Sequence, residues 1–170
     1  MERVDVVNEN NQVIGQASKA DCHKKGLLHR TIIAEIIDSQ GNWVLIKQSS
    51  DRQDAGQYVS PVGGHIRAGE SELEALKREA EEETGLTQFS HKYIGKAIFN
   101  REVIGRKENH YFILYEISSD EELILNHESE SYRRFSKAEI RELMKTQPKM
   151  FGDAFHFVMK QMYKQNKKNA

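Results

Sequence analysis

Residues 64–86 read GHIRAGESELEALKREAEEETGL, and this stretch carries both a helix and the chemistry mounted on it. Ser71 followed three residues later by Glu74 forms a capping box, so a helix is predicted to begin near Glu72. Gly85 supplies the left-handed residue that stops it about four turns later. At roughly 100° per residue, Leu73, Leu76 and Ala80 share one stripe, expected to face the core. Glu79, Glu82 and Glu83 stand at i, i+3 and i+4, so three carboxylates converge on an adjacent face. Like charges at that spacing weaken a helix. A divalent cation removes the repulsion, and hard oxygen donors suit Mg²⁺, with Mn²⁺ as a substitute. Arg78, one turn before Glu82, is placed to orient a carboxylate through a forked hydrogen bond. A solvated acidic face accounts for Glu72, Glu74 and Glu81. It does not account for the register of Gly64, Glu70, Arg78 and Gly85 around them.

Written as a pattern, the stretch is G-x5-E-x7-R-E-U-x-E-E-x-G-U with U apolar, and every fixed position is filled. It resembles the signature of the Nudix family. The resemblance implies an α/β/α sandwich with a mixed β-sheet, in which the signature forms a loop, a helix and a loop. It also implies hydrolysis of a diphosphate joined to another moiety, commonly a nucleoside diphosphate derivative. By position in the signature, Glu79, Glu82 and Glu83 would hold the cations, with the Gly64 carbonyl completing the coordination. Arg78 would orient Glu82 or a neighbouring carboxylate, and Glu70 and Gly85 would support the loop. For the general base, Glu82 is one candidate. Glu128 and Glu130, from NHESESYRRF, are others, although that segment reads more readily as an ordinary acidic loop. His65 lies inside the signature loop beside the expected phosphate site and is a candidate contact to metal or substrate. Arg52 is a candidate phosphate contact and Tyr58 a candidate stacking ring, each explicable also as surface charge or packing.

Around the signature, Arg3–Val7 and Val13–Ala17 read as a hairpin across Asn8–Gln12. Lys19–Leu28 reads as a short helix or turn. Arg30–Asp38 and Trp43–Gln48 form a second strand pair across Ser39–Asn42. Gly63 and Gly64 let the backbone turn sharply or approach a ligand. Phe89–Phe99 and Tyr111–Ser118 are strands joined by the polar, basic Arg101–Asn109, and Tyr132–Phe135 adds a short strand. Lys137–Lys145 has helical spacing, as does Phe151–Lys164 with Asp153 as its N-cap. Gln165–Ala170 is expected to fray. Strands around a few helices imply a mixed sheet covered on both faces. The chain is expected to be one domain over residues 1–170, with a hairpin extension over 1–29 and a C-terminal helix and tail over 150–170.

The run from Val4-Asp5-Val6-Val7 through Val13-Ile14-Gly15 to His23 and His29-Arg30 resembles the start of isopentenyl-diphosphate isomerases and their Nudix relatives. In those isomerases histidines and glutamates hold a metal. His29, His65 and Glu108 fall at such positions and His23 near another, so the resemblance implies a second candidate metal site of imidazole and carboxylate. The simpler expectation makes His23, His29 and His110 hydrogen-bonded structural groups. Two departures count against isomerisation. Gly63 stands where the isomerases have a cysteine, and His110 stands where they have a second glutamate. Isomerisation needs a placed acid and base, and one half of that pair is missing.

Composition sets the remaining expectations. The 170 residues carry a formal charge of −1, with a pI near 6.7, which disfavours a nucleic-acid or membrane-surface binder. The opening MERVDVVNENNQ has no apolar core of a secretory signal, and no apolar run reaches bilayer length. The single cysteine, Cys22, excludes an internal disulfide and fits a reducing cytoplasm. The expected partner is a small diphosphate. The family resemblance allows a homodimer, and no residue here requires one.

Overall fold

The computed structural model describes residues 1–164. Its elements run β1 Arg3–Val7, β2 Val13–Ser18, α1 Lys19–Lys25, β3 His29–Ile37, β4 Trp43–Gln48, β5 Tyr58–Val59, β6 Val62–His65, α2 Glu72–Thr84, β7 Ser90–Val103, β8 Arg106–Ser118, β9 Ser129–Phe135, α3 Lys137–Thr146 and α4 Asp153–Phe157. A 3₁₀ turn over Pro148–Met150 precedes α4 and a π-helical turn over Val158–Met162 follows it. The tail Gln165–Ala170 lies outside the described residues.

The centre of the mixed sheet is β3 paired in parallel with β8, in register from His29 opposite His110 to Ile37 opposite Ser118. Both strands are apolar along most of their length because both faces are covered. Alternation assigns the faces. Ile32, Ala34 and Ile36 of β3 and Ile113, Tyr115 and Ile117 of β8 pack with Ala75, Leu76 and Ala80 of α2. Ile33 of β3 and Phe112 and Leu114 of β8 point the other way, onto Val158 and Met162 of the C-terminal helical segment. A third cluster on that second side joins Trp43, Leu45, Phe135, Ile140, Phe151 and Phe155. This is an α/β/α sandwich with a curled mixed sheet.

The structure alters several local expectations. β3 and β4 pair only at the turn, Ile36 with Val44 and Ile37 with Trp43. Beyond that point β6 takes the edge of β3 and β9 takes the edge of β4. β7 and β8 continue through the polar stretch to a two-residue turn at Ile104 and Gly105, both at positive φ, as a tight hairpin requires. Its outer end projects into water, so its strands there are polar. Gly63 and Gly64 do not turn: they lie in β6, outside the left-handed region. In α2, Leu73 is 41% exposed in the first turn while the small Ala75 is fully buried, which lets the helix approach the sheet closely. The last helix does not run from Phe151. Phe151 is extended and bridges to Tyr58, and Gly152 donates its N–H to the Tyr58 carbonyl. Gly152 is therefore the N-cap, and Asp153 makes no capping hydrogen bond.

Candidate active site

β6 and α2 face each other, and their sequences fit at one point. A Cβ on Gly64 would lie 2.1 Å from Glu79 Oε1 and 2.2 Å from its Cδ. Glycine is needed there because a carboxylate occupies the place of a side chain. α2 begins at the Ser71–Glu74 capping box and ends at Gly85, φ 73°, so its register is fixed at both ends.

Arg78 organises the loop. Its Nε and Nη2 donate to the two oxygens of Glu70 at 2.8 and 2.9 Å, Nη1 to Glu79 Oε1 at 2.6 Å, and Nη2 to the His65 carbonyl at 3.0 Å. Glu82 lies further off, at 3.5 Å. The carboxylate that Arg78 orients is thus Glu79, and Glu70, which also accepts from the Arg67 N–H, anchors the arginine. Glu79 is buried, and burial pushes its carboxyl up against the opposing effect of Arg78. Burial likewise pushes Glu83 up to about 9, although the Gly63 N–H donates to it. Glu82 is half exposed. One buried carboxylate, one partly buried and one open to water share this side of α2, close enough for each to disfavour the others' charge, and a bound cation would hold all three charged. The donor set is all oxygen, which fits a hard divalent ion.

Across from α2, Glu128 shares a small cavity, about 90 Å³, with Glu83, Gln48, Ser60 and Gly63. Arg52 pairs with Glu128 at 3.0 Å, and Asn126 Nδ2 donates to the Glu82 carbonyl. The structure therefore brings Glu128 and Arg52 to the glutamates. Glu130, two residues further on, is exposed and pairs with Lys47 at 3.9 Å.

Two expected substrate contacts are not at this site. Tyr58 packs edge-on to Phe135, 5.1 Å between ring centres, within the cluster on the far side of the sheet. Its register opposite Lys47 in β4 puts it there. His65 is excluded by the same alternation. Val62, Gly64 and Ile66 face α2, so the ring of His65 faces away.

That ring joins a second constellation. His29, His65 and His110 meet on the face opposite α2, because Thr31 pairs with His65 and His29 with His110. His23 of α1 closes over them. Ring centres lie 4.8 to 5.9 Å apart, and one nitrogen from each histidine lies within 4.8 Å of the others. All four Nε2 atoms are buried without a hydrogen-bond partner. His29 is hydrogen-bonded at Nδ1 to the Leu27 carbonyl, as a structural group would be, but hydrogen bonding does not account for the Nε2 atoms of His23, His29 and His110, and each unmet buried polar atom costs about 1–3 kcal/mol. Burial holds all four imidazoles below their ordinary pKa, that of His110 at about 2. Glu108 is not a member. It is held by Arg101 at 2.9 Å and Arg106 at 3.1 Å. His110, which the sequence places where the isomerases have a glutamate, takes the place expected for Glu108 in this second constellation. The signal was its place in the alternation His110, Phe112, Leu114.

Residues 27–155 match the NUDIX domain family. Isopentenyl-diphosphate Delta-isomerase 2 of Photorhabdus laumondii is 31% identical over 151 residues, 86% of this chain and 84% of that protein. The uncharacterized Nudix hydrolase YfcD of Escherichia coli is 38% identical over 87 residues, 50% of this chain, and the match spans about half of that relative, 48%. Among solved structures, a protein from Deinococcus radiodurans superposes with a TM-score of 0.74 at 23% identity, over 93% of this chain and 98% of its own. The NUDIX domain of Shewanella oneidensis NrtR, crystallised with ADP ribose, superposes at 0.60 with 14% identity, over 83% and 88%. With its glutamate helix in register, its sheet matched and most of its length covered by the family, the chain belongs to the Nudix family, whose general chemistry is hydrolysis of diphosphate linkages.

Proposed function

We propose that the protein is a Mg²⁺-dependent diphosphohydrolase of the cytoplasm that cleaves a nucleoside diphosphate derivative or a similar diphosphate, with Mn²⁺ able to replace Mg²⁺. The observation that supports this reading is the convergence of Glu79, Glu82 and Glu83 on one side of α2, with Glu79 seated against Gly64 and gripped by Arg78. These three carboxylates, with the Gly64 carbonyl, would hold the metal. The chemistry a bound Mg²⁺ would supply there is positive charge against the diphosphate and the leaving oxygen.

The chain's own groups do the rest. An oxygen–phosphorus bond forms from water, and the bridging phosphorus–oxygen bond breaks with its electron pair on the leaving oxygen. The proton of the attacking water passes to a carboxylate. Glu82, half exposed, and Glu128, across the cavity from Glu83, are the two placed to accept it. Arg52, paired with Glu128 at 3.0 Å, is the cation we assign to an entering phosphate. Glu70 and Gly85 fix the two ends of the loop and helix.

The test is a panel of diphosphates, ADP-ribose among them, with product release measured with and without Mg²⁺. Turnover that survives a chelator refutes the reading.

The similarity to a Photorhabdus isomerase over most of the chain favours a second reading, isomerisation of isopentenyl diphosphate. Against it, Gly63 offers no side chain where the isomerases place a thiol, and neutral imidazole, His110, takes the place of a carboxylate. Without the thiol one half of the acid–base pair that isomerisation needs is missing, so hydrolysis is the reading we adopt.

A further inference from the structure

From the geometry of His23, His29, His65 and His110 we infer a binding site for one first-row transition-metal ion of the Zn²⁺ class, separate from the carboxylate site on α2. The four residues come from α1, β3, β6 and β8, so their convergence is a product of tertiary structure rather than of local sequence. Each offers a nitrogen within 4.8 Å of the other three, and each Nε2 is buried with no hydrogen-bond partner. A core assembled for packing does not aim four unmet acceptors or donors at a common point.

The tautomer is set for ligation at one position. His29 Nδ1 lies 2.8 Å from the Leu27 carbonyl; a carbonyl only accepts, so Nδ1 carries the proton and Nε2 keeps its lone pair for the cluster. A backbone carbonyl holding the second ring nitrogen is the usual outer support of a metal-bound histidine.

The donor set chooses the ion. Among the described residues no carboxylate joins the cluster, and the nearest candidate, Glu108, is committed to Arg101 and Arg106. A neutral, all-imidazole set suits Zn²⁺ and its first-row neighbours and suits Mg²⁺ poorly. The chain therefore separates two ion classes across one sheet, oxygen donors on the α2 face and nitrogen donors on the other. Of the four, His23 lines an open cavity of about 570 Å³, with Glu2, Lys19, Lys24 and Arg106.

The experiment uses untagged full-length protein, dialysed against Mg²⁺ and analysed for metals by inductively coupled plasma mass spectrometry. One equivalent of a first-row metal should persist. After its removal with a strong chelator, added Co²⁺ should restore one equivalent and produce a visible ligand-field band. His110→Ala and His29→Ala should lose the stoichiometric metal, and Glu82→Gln should retain it. Because a histidine variant can fail to fold, the wild type carries an independent readout. Its thermal unfolding temperature should fall on chelation and recover with Zn²⁺ but not with Mg²⁺. Less than a tenth of an equivalent, both as purified and after reconstitution with Zn²⁺ or Co²⁺, overturns the inference. So does a metal kept by folded His110→Ala and lost by Glu82→Gln.

Discussion

Gly64→Ala tests the geometry of the carboxylate site at its tightest point. The added methyl carbon would fall 2.1 Å from Glu79 Oε1 and 2.6 Å from Oε2, whereas ordinary carbon–oxygen contacts begin beyond 3 Å. Something must move by about an ångström. The strand is held on β3, so the free end of Glu79 moves, and with it the 2.6 Å contact to Arg78. Overpacking of this kind costs about 1–3 kcal/mol of stability, and a flexible carboxylate places it at the lower end. Function should suffer more, since a 1 Å misplacement of a catalytic group lowers the rate roughly 10²-fold. The assay is twofold: Mn²⁺ titration followed by electron paramagnetic resonance, and kcat on the best diphosphate of the panel. Binding should weaken at least tenfold and kcat fall about 10²-fold, with circular dichroism unchanged. Gly63→Ala is the comparison, because a Cβ there meets nothing nearer than the Ile32 carbonyl at 3.8 Å; Mn²⁺ binding should survive it. Gly64→Ala with wild-type Mn²⁺ affinity and turnover would refute the claim that Glu79 needs that space.

Glu82→Gln and Glu83→Gln each remove a charge that stabilises the cation, so kcat should drop by about two orders of magnitude, while the exposed Glu81→Gln stays near wild type; equal losses at Glu81 and Glu82 would show the helix misregistered. EDTA should abolish turnover, and Mg²⁺ or Mn²⁺ should restore it. Glu35, fully buried and hydrogen-bonded to Ser60, has its carboxyl raised by burial from 4.5 to about 8. The folded state thus keeps a proton that the unfolded state loses, and stability should decline as pH rises from about 4.5 to 8 and then level off. Glu35→Gln should remove that decline and be more stable by a few kcal/mol at pH 8, with the difference vanishing near pH 4.5; parallel denaturation curves for the two proteins across that range would contradict it. Purified protein incubated with isopentenyl diphosphate and metal should yield no dimethylallyl product, and its appearance would reverse the choice of hydrolysis over isomerisation.

The parts of the molecule legible in the sequence are those fixed by local rules. The bounds of α2 follow from Ser71, Glu74 and Gly85, and α3 shows the same capping box through Ser136 and Glu139. The carboxylate triad needs only helical spacing. What was not legible depends on which strands meet. His29 and His110 are eighty-one positions apart and become neighbours only because β3 and β8 run parallel in one register. Tyr58 and His65, candidate substrate contacts in the sequence, face away from the glutamates, because proximity in sequence to the signature says nothing about face. The length of β7 and β8 was hidden by their polar outer ends, where hydrophobic alternation fades as the hairpin leaves the core. The break before α4 follows from Phe151 bridging to Tyr58, a contact between distant segments.

β6 explains how the two donor sets coexist in so small a fold. Three consecutive residues serve different ends. The Gly63 N–H holds Glu83, Gly64 leaves the space filled by Glu79, and His65 sends its ring to the imidazoles while its carbonyl takes Arg78. Strand alternation makes this division unavoidable: a residue whose side chain faces α2 is followed by one whose side chain faces away. Any shift of β6 by one position would exchange the two environments, placing an imidazole against Glu79 and a glycine among the histidines. The register of β6 on β3 is therefore under double constraint, from a glycine that must face the carboxylates and a histidine that must not. The same arrangement accounts for an intact glutamate signature alongside a histidine cluster, because each occupies its own side of the sheet and neither needs the other's residues.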